Sequence, residues 1–152
     1  MKGILEELLA SGRLKRHKAS SREIHALFEV VKRDLADTKV PGLSDDRRFA
    51  IAYNAALQAG RALLAAEGYR TAGHGHHATV FQALRDFLPK EHCHLLDYFD
   101  DCRSKRNLAE YTDTEVASEQ EVKELAGEAQ RFASLVKDKI QLRHPDLSRR
   151  RS

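Results

Sequence analysis

The segment Asp100-Asp101-Cys102-Arg103-Ser104-Lys105-Arg106-Asn107-Leu108-Ala109-Glu110-Tyr111 carries the densest set of groups able to act on a phosphate. Leu95, Leu96, Phe99 and Cys102 take the apolar positions of a helix expected over about 91–111. Arg103, Arg106, Asn107 and Glu110 follow at spacings of three and four, so they share its polar face. Planar guanidinium groups grip phosphate oxygens with paired N–H donors, and the Asn107 amide adds a neutral donor and acceptor. Periodicity by itself also fits a solvated helix with local ion pairs, such as Arg106 with Glu110.

A second constellation, His74-Gly75-His76-His77, stands at the start of another expected helix. Three imidazoles so close can bind a transition metal, donate protons or meet a phosphate at a helix N-terminus. Neighbouring helical residues point apart, and no carboxylate or cysteine has the spacing to complete a zinc site, so no metal and no cofactor is expected. The simpler reading is a polar loop with one histidine capping the helix. His76 and His77 are retained as ligand-binding candidates, able to replace an absent catalytic histidine if they reach the Arg106 face. His92 and His94 flank Cys93 in a pattern that fits no compact metal site, and His25 reads as a half-buried amphipathic side chain. Tyr53, Tyr69 and Tyr98 read as core or interface aromatics. The chain has no Walker-type glycine loop, nucleophile elbow or His-Glu-x-x-His pair.

The elements that must position these groups are all helical. Ile4, Leu5, Leu8 and Leu9 mark a short first helix closed near Gly12. Ser20 and Glu23 stand at capping-box spacing before the stripe Ile24, Leu27, Phe28, Val31 and Leu35, and Pro41-Gly42 ends that unit. Ser44 caps a third helix, with Asp45 and Asp46 suited to its first turn. That helix runs to Gly68 through a middle rich in Ala and Gly, where a neighbour can pack closely. A fourth is expected near 76–88 from Val80, Phe81, Leu84, Phe87 and Leu88. After the helix over 91–111, Ser118 and Glu121 form another capping box before the stripe Val122, Leu125, Ala129, Phe132, Val136 and Ile140. His144-Pro145 stops this last helix and leaves a polar tail. No stretch alternates with a period of two, and repeats, linkers and low-complexity segments are absent. An all-α antiparallel bundle of five or six helices follows.

The 152 residues suit one domain, with 41% apolar and 32% charged residues as in ordinary globular chains. No apolar run approaches the roughly 20 residues of a membrane span, and Glu6 and Glu7 break the signal-peptide pattern. Cys93 and Cys102 read as free buried thiols in a reduced, cytoplasmic setting. The net charge of +3 is uneven: residues 1–19 carry five Lys or Arg against two Glu, and Arg149, Arg150 and Arg151 close the chain. Basic ends attract phosphate, and they also serve as plain solubilising tails.

Arg106-Asn107 late in a bundle helix resembles the motif of HEPN ribonucleases, in which Arg-Asn is followed after several residues by histidine. Tyr111 stands where that histidine would fall. The Ala-rich helix with Tyr53-Asn54-Ala55-Ala56, the Gly68-Tyr69-Arg70 segment and the helix order from about 20 to 142 are similar to the same family. The resemblance divides the chain into a short helix and basic segment over 1–19, a HEPN-like domain over 20–144 and a basic tail over 145–152. It implies a homodimer whose two motifs line one cleft. Active members cleave RNA without metal, by attack of the ribose 2′-hydroxyl on the adjacent phosphate. Arginine stabilises the developing charge and histidine moves the proton.

On that pattern Arg106 and Tyr111 are the catalytic candidates, with Arg103, Asn107 and Glu110 binding ligand. A phenol has a pKa of about 10 and is a poor base at neutral pH, so Tyr111 is expected to contact the ligand instead. Other members of the family accompany a nucleotidyltransferase, and in some a tyrosine after the motif histidine accepts a nucleotide. Tyr111 has that residue type without that registry. The expectation is an RNA-directed protein, a metal-independent endoribonuclease of a toxin–antitoxin or defence system, with an antitoxin or nucleotidyltransferase as partner. The alternative is a non-catalytic nucleotide-binding or nucleotidyltransferase-partner module. Sequence-directed DNA binding has the least support, because the basic residues do not line one recognition helix.

Overall fold

The computed structural model describes residues 3–73, 76–112 and 115–149. Their elements are α1 (Ile4–Ala10), β1 (Leu14–Arg16), α2 (Ser21–Asp37), α3 (Asp45–Ala66), β2 (Tyr69–Thr71), α4 (His76–Leu84), α5 (Cys93–Glu110), α6 (Glu119–Arg143) and α7 (Pro145–Ser148), with a 3-10 turn over Lys90–His92. The architecture is all-α but for the small sheet, and none of the described helices is long and apolar enough to cross a membrane.

Three of the long helices start where a serine hydroxyl accepts an otherwise orphaned backbone N–H. Ser20 accepts from Glu23 N, Ser44 from Arg47 N and Ser118 from Glu121 N, at 3.1–3.2 Å. The full reciprocal box forms only at Ser118, whose own N–H donates to Glu121 Oε1 at 3.0 Å. At Ser20 the partner carboxylate is drawn away, since Glu23 lies 2.7 Å from His17 Nε2.

α3 is the central element. Ala52, Ala55, Ala56, Ala59 and Ala62 are wholly buried, and α2 and α6 both pack along it. Short side chains let the three backbones approach, so alanine here supplies close packing. The helices on the site side are joined by a run of rings. Tyr53 of α3 meets Phe81 of α4 at 6.2 Å, Phe81 meets Phe99 of α5 at 5.8 Å, and Phe99 meets Phe132 of α6 at 5.1 Å. Each such pair adds roughly 0.5–1.5 kcal/mol beyond area burial.

Polar ties fix the helix ends. Asp46 at the start of α3 accepts from Val116 N at 3.0 Å and Ala117 N at 2.7 Å, holding the approach to α6. Lys105 of α5 pairs with Glu121, and the Lys105 cation with the Ser118 N–H holds the Glu121 carboxyl below its ordinary pKa. Glu67, buried after α3, pairs with Arg143 at 2.9 Å and with His144.

Several details depart from the sequence reading. β1 and β2 form an antiparallel ladder pairing Leu14 with Thr71, Lys15 with Arg70 and Arg16 with Tyr69, where no strand was expected. Strands of three residues are too short to show alternation, and this pairing depends on where α3 delivers the chain. Gly68, at φ +100°, makes the reversal into β2 in a backbone conformation that costs other residues energy. α4 ends at Leu84, not near 88, and tight turns such as Phe87 N to Leu84 O carry the chain on. Leu88 is buried without being helical, which is why its spacing read as helix. Cys93 is only half-buried, whereas Cys102 is buried as expected. Pro145 both ends α6 and opens α7, whose Leu147 packs on the core, so the described helices number seven.

Candidate functional site

The polar face of α5 is already organised by its own charges. Asp100 Oδ1 accepts from Arg103 Nε at 2.9 Å, and Glu110 lies 3.1 Å from Arg106 Nη2. Arg106 Nη1 donates to Asn107 Oδ1 at 3.2 Å. These are the i, i+3 and i, i+4 pairs that helical spacing allows. Both arginines are partly covered, which orients their guanidinium groups while leaving edges for a ligand.

What α5 alone does not supply arrives from α3 and α4. The Arg106 guanidinium lies 5.9 Å from the centre of the Tyr53 ring, a cation–π approach. The His77 ring packs on that same Tyr53 at 5.8 Å, tilted by 42°. His77 is held there because Phe81, one turn further along α4, is wedged between Tyr53 and Phe99. The structure thus brings His77 and Arg106 around one aromatic ring, although they belong to different helices.

Electrostatics follow from this placement. Burial, then the Arg106 and Arg103 cations, push the His77 pKa below its ordinary value. An imidazole so placed is neutral at neutral pH and can accept a proton. Burial drives the Tyr53 phenol well above its ordinary pKa, against the pull of Arg103 and Arg106. Its hydroxyl is buried and has no hydrogen-bond partner among the described residues. His76 is exposed, with Nδ1 3.2 Å from Thr71 Oγ1 of β2.

Tyr111 is not drawn into this arrangement. It stands just past the last turn of α5, 85% exposed, and its side chain makes no ring contact or hydrogen bond among the described residues. Leu108, one turn earlier, is 54% exposed. His74 lies outside the described residues, and among those described no three His, Cys, Asp or Glu side chains gather as metal ligands. Sequence reasoning placed Tyr53 in the core without seeing it as the shared support of Arg106 and His77. It also passed over Asp100, although its spacing of three from Arg103 was a readable signal.

The family model described as SAV_6107-like HEPN matches residues 43–137, a span that includes every residue of this arrangement. No curated protein and no solved structure matches the chain.

Proposed function

The chain belongs to the HEPN family, and from that premise we propose that it acts on RNA as a metal-independent endoribonuclease, with His77 in the part of the absent motif histidine. The observation that carries this reading is the Tyr53 ring shared by Arg106 and His77, which sets a neutral imidazole beside a guanidinium. An RNA phosphate would enter against Arg106 and Arg103, with Asn107 and His76 as further polar contacts. His77 takes the proton of the adjacent ribose 2′-hydroxyl, whose oxygen bonds to phosphorus. The phosphorus–5′-oxygen bond breaks, the leaving oxygen takes a proton from water, and a 2′,3′-cyclic phosphate remains. Arg106 offsets the charge that builds on the phosphoryl oxygens, and the phosphate displaces part of its pairing with Glu110. Exposed Tyr111 donates a hydrogen bond from the rim. Two copies pair through the ends of their α5 helices and cover Leu108, in a toxin–antitoxin or defence setting.

A second reading is favoured by the exposed Tyr111, which offers no imidazole at the motif position. It is a non-catalytic module that binds a nucleotide or a nucleotidyltransferase partner on the same face. Cleavage of mixed RNA in chelator by the parent protein, Arg106→Ala and His77→Ala separates the two. The endoribonuclease reading requires cleavage by the parent, with His77→Ala slower by about 10²–10⁴-fold, the usual contribution of a positioned base. Thermal melts confirm that both variants fold. RNA or nucleotide binding that depends on Arg106, without any cleavage, transfers the assignment to the module.

A further inference from the structure

At His77 a cavity of about 460 Å³ opens between α2, α3, β2 and α4. His76 and His77 line it and Arg106 does not, so it adjoins the face described above and extends past it toward α2 and β2. Leu57, Leu64 and Val80 make part of its wall apolar, while Gln58, Arg61 and Arg70 make part of it polar.

The polar wall is pre-set by a hydrogen-bonded chain. Buried Asp34 accepts from Asn54 Nδ2 at 2.6 Å, Asn54 Oδ1 accepts from Gln58 Nε2 at 3.0 Å, and Gln58 Oε1 accepts from Arg61 Nη1 at 2.8 Å. A carboxylate can only accept, so each amide in turn is fixed with its oxygen toward the next donor. The chain leaves one N–H on each amide unused and holds Arg61 by a neutral oxygen, with its charge uncompensated. Among the described residues neither Arg61 nor Arg70 pairs with a carboxylate. The acid in the wall, Glu23, is engaged with His17.

We propose that this cavity binds one nucleoside monophosphate unit. Arg61 and Arg70 take the phosphate, the apolar wall covers a face of the base, and the free amide N–H groups of Asn54 and Gln58 meet its acceptor edge. The volume lies within the roughly 300–1,000 Å³ of small-ligand sites, and a bare phosphate would leave the apolar wall uncovered. The unit is either a free nucleotide or one residue of an RNA strand that continues past His77. The inference does not require RNA cleavage.

Calorimetric titration of the full chain with nucleoside 5′-monophosphates, ribose 5-phosphate and a 2′-O-methyl oligonucleotide tests it. The variants are Arg61→Ala/Arg70→Ala, both exposed side chains whose loss spares the core, and Arg106→Ala. The expected result is saturable nucleotide binding, weakened at least about tenfold in the double variant, weakened less than that in Arg106→Ala and poorer for ribose 5-phosphate. Tighter binding of the oligonucleotide, also lost in the double variant, assigns the site to a strand; equal or weaker binding assigns it to a free nucleotide. The proposal is overturned by absence of nucleotide binding at millimolar concentration. Binding lost in Arg106→Ala but kept in the double variant, or ribose 5-phosphate binding as well as the nucleotide, overturns it equally.

Discussion

Two glycine-to-alanine changes on different helices should move stability in opposite directions. A Cβ at Gly60 of α3 would meet Leu84 Cδ1 and Val80 Cγ1 at 3.1 Å and Phe132 Cε2 at 3.8 Å. All three neighbours are buried at 1% exposure or less, so none can swing away. Alanine inside a helix gains about 1 kcal/mol over glycine, while overpacking a dense core costs roughly 1–3 kcal/mol. The balance for Gly60→Ala is a loss of about 1 kcal/mol. A Cβ at Gly127 of α6 meets only the Arg131 guanidinium, at 3.4 Å, on a side chain that is largely exposed. Gly127→Ala should therefore gain roughly 0.5–1 kcal/mol. In a chain of this size each kcal/mol shifts Tm by about 2–4 °C, so thermal and urea denaturation resolve the two signs. Because Val80 and Leu84 sit on α4, the strain at Gly60 also pushes His77 off Tyr53 and should slow any RNA cleavage. Stabilisation by Gly60→Ala equal to that by Gly127→Ala would refute this account of how α4 is seated on α3.

Glu67→Gln removes the charge that Arg143 and His144 share, and should cost about 1.5 kcal/mol in urea unfolding. That is the low end for charged hydrogen bonds, because Arg143 is half exposed and screened. Asp46→Ala leaves the Val116 and Ala117 N–H groups without their acceptor, costs roughly 1–3 kcal/mol, and should speed hydrogen exchange at those two amides. His77 has a lowered pKa in the folded chain, so the unfolded state binds the extra proton more readily. Stability should therefore fall as pH drops from about 6.5 toward the lowered folded value, and His77→Phe should flatten that part of the urea-midpoint profile against pH.

The parts of the molecule that were legible in the sequence are those decided within a few residues. Ser20, Ser44 and Ser118 announce helix starts because a cap is a contact between residues three apart. The Arg106–Glu110 pair follows from one helical turn. What stayed hidden depends on distant segments. Glu23 had the spacing of a capping box and instead met His17, which β1 brings alongside. The β1–β2 ladder required knowing where Gly68 turns the chain. His77, Tyr53 and Arg106 sit on three helices, and nothing in their spacing reports that one ring supports both of the others. Tyr111 shares the motif with Arg106, yet α5 ends one residue before it, so the helical spacing that sets the direction of Arg106 does not set that of Tyr111.

The central claim, that His77 and Arg106 face one phosphate across Tyr53, is tested most directly by an NMR titration of the His77 ring. It would be run on the free protein and with saturating 2′-O-methyl RNA. The account predicts a pKa below the ordinary value of about 6.5 in the free protein, raised when the RNA phosphate arrives, and no such rise in Arg106→Ala. RNA that binds the parent protein and leaves the His77 titration unchanged would contradict it.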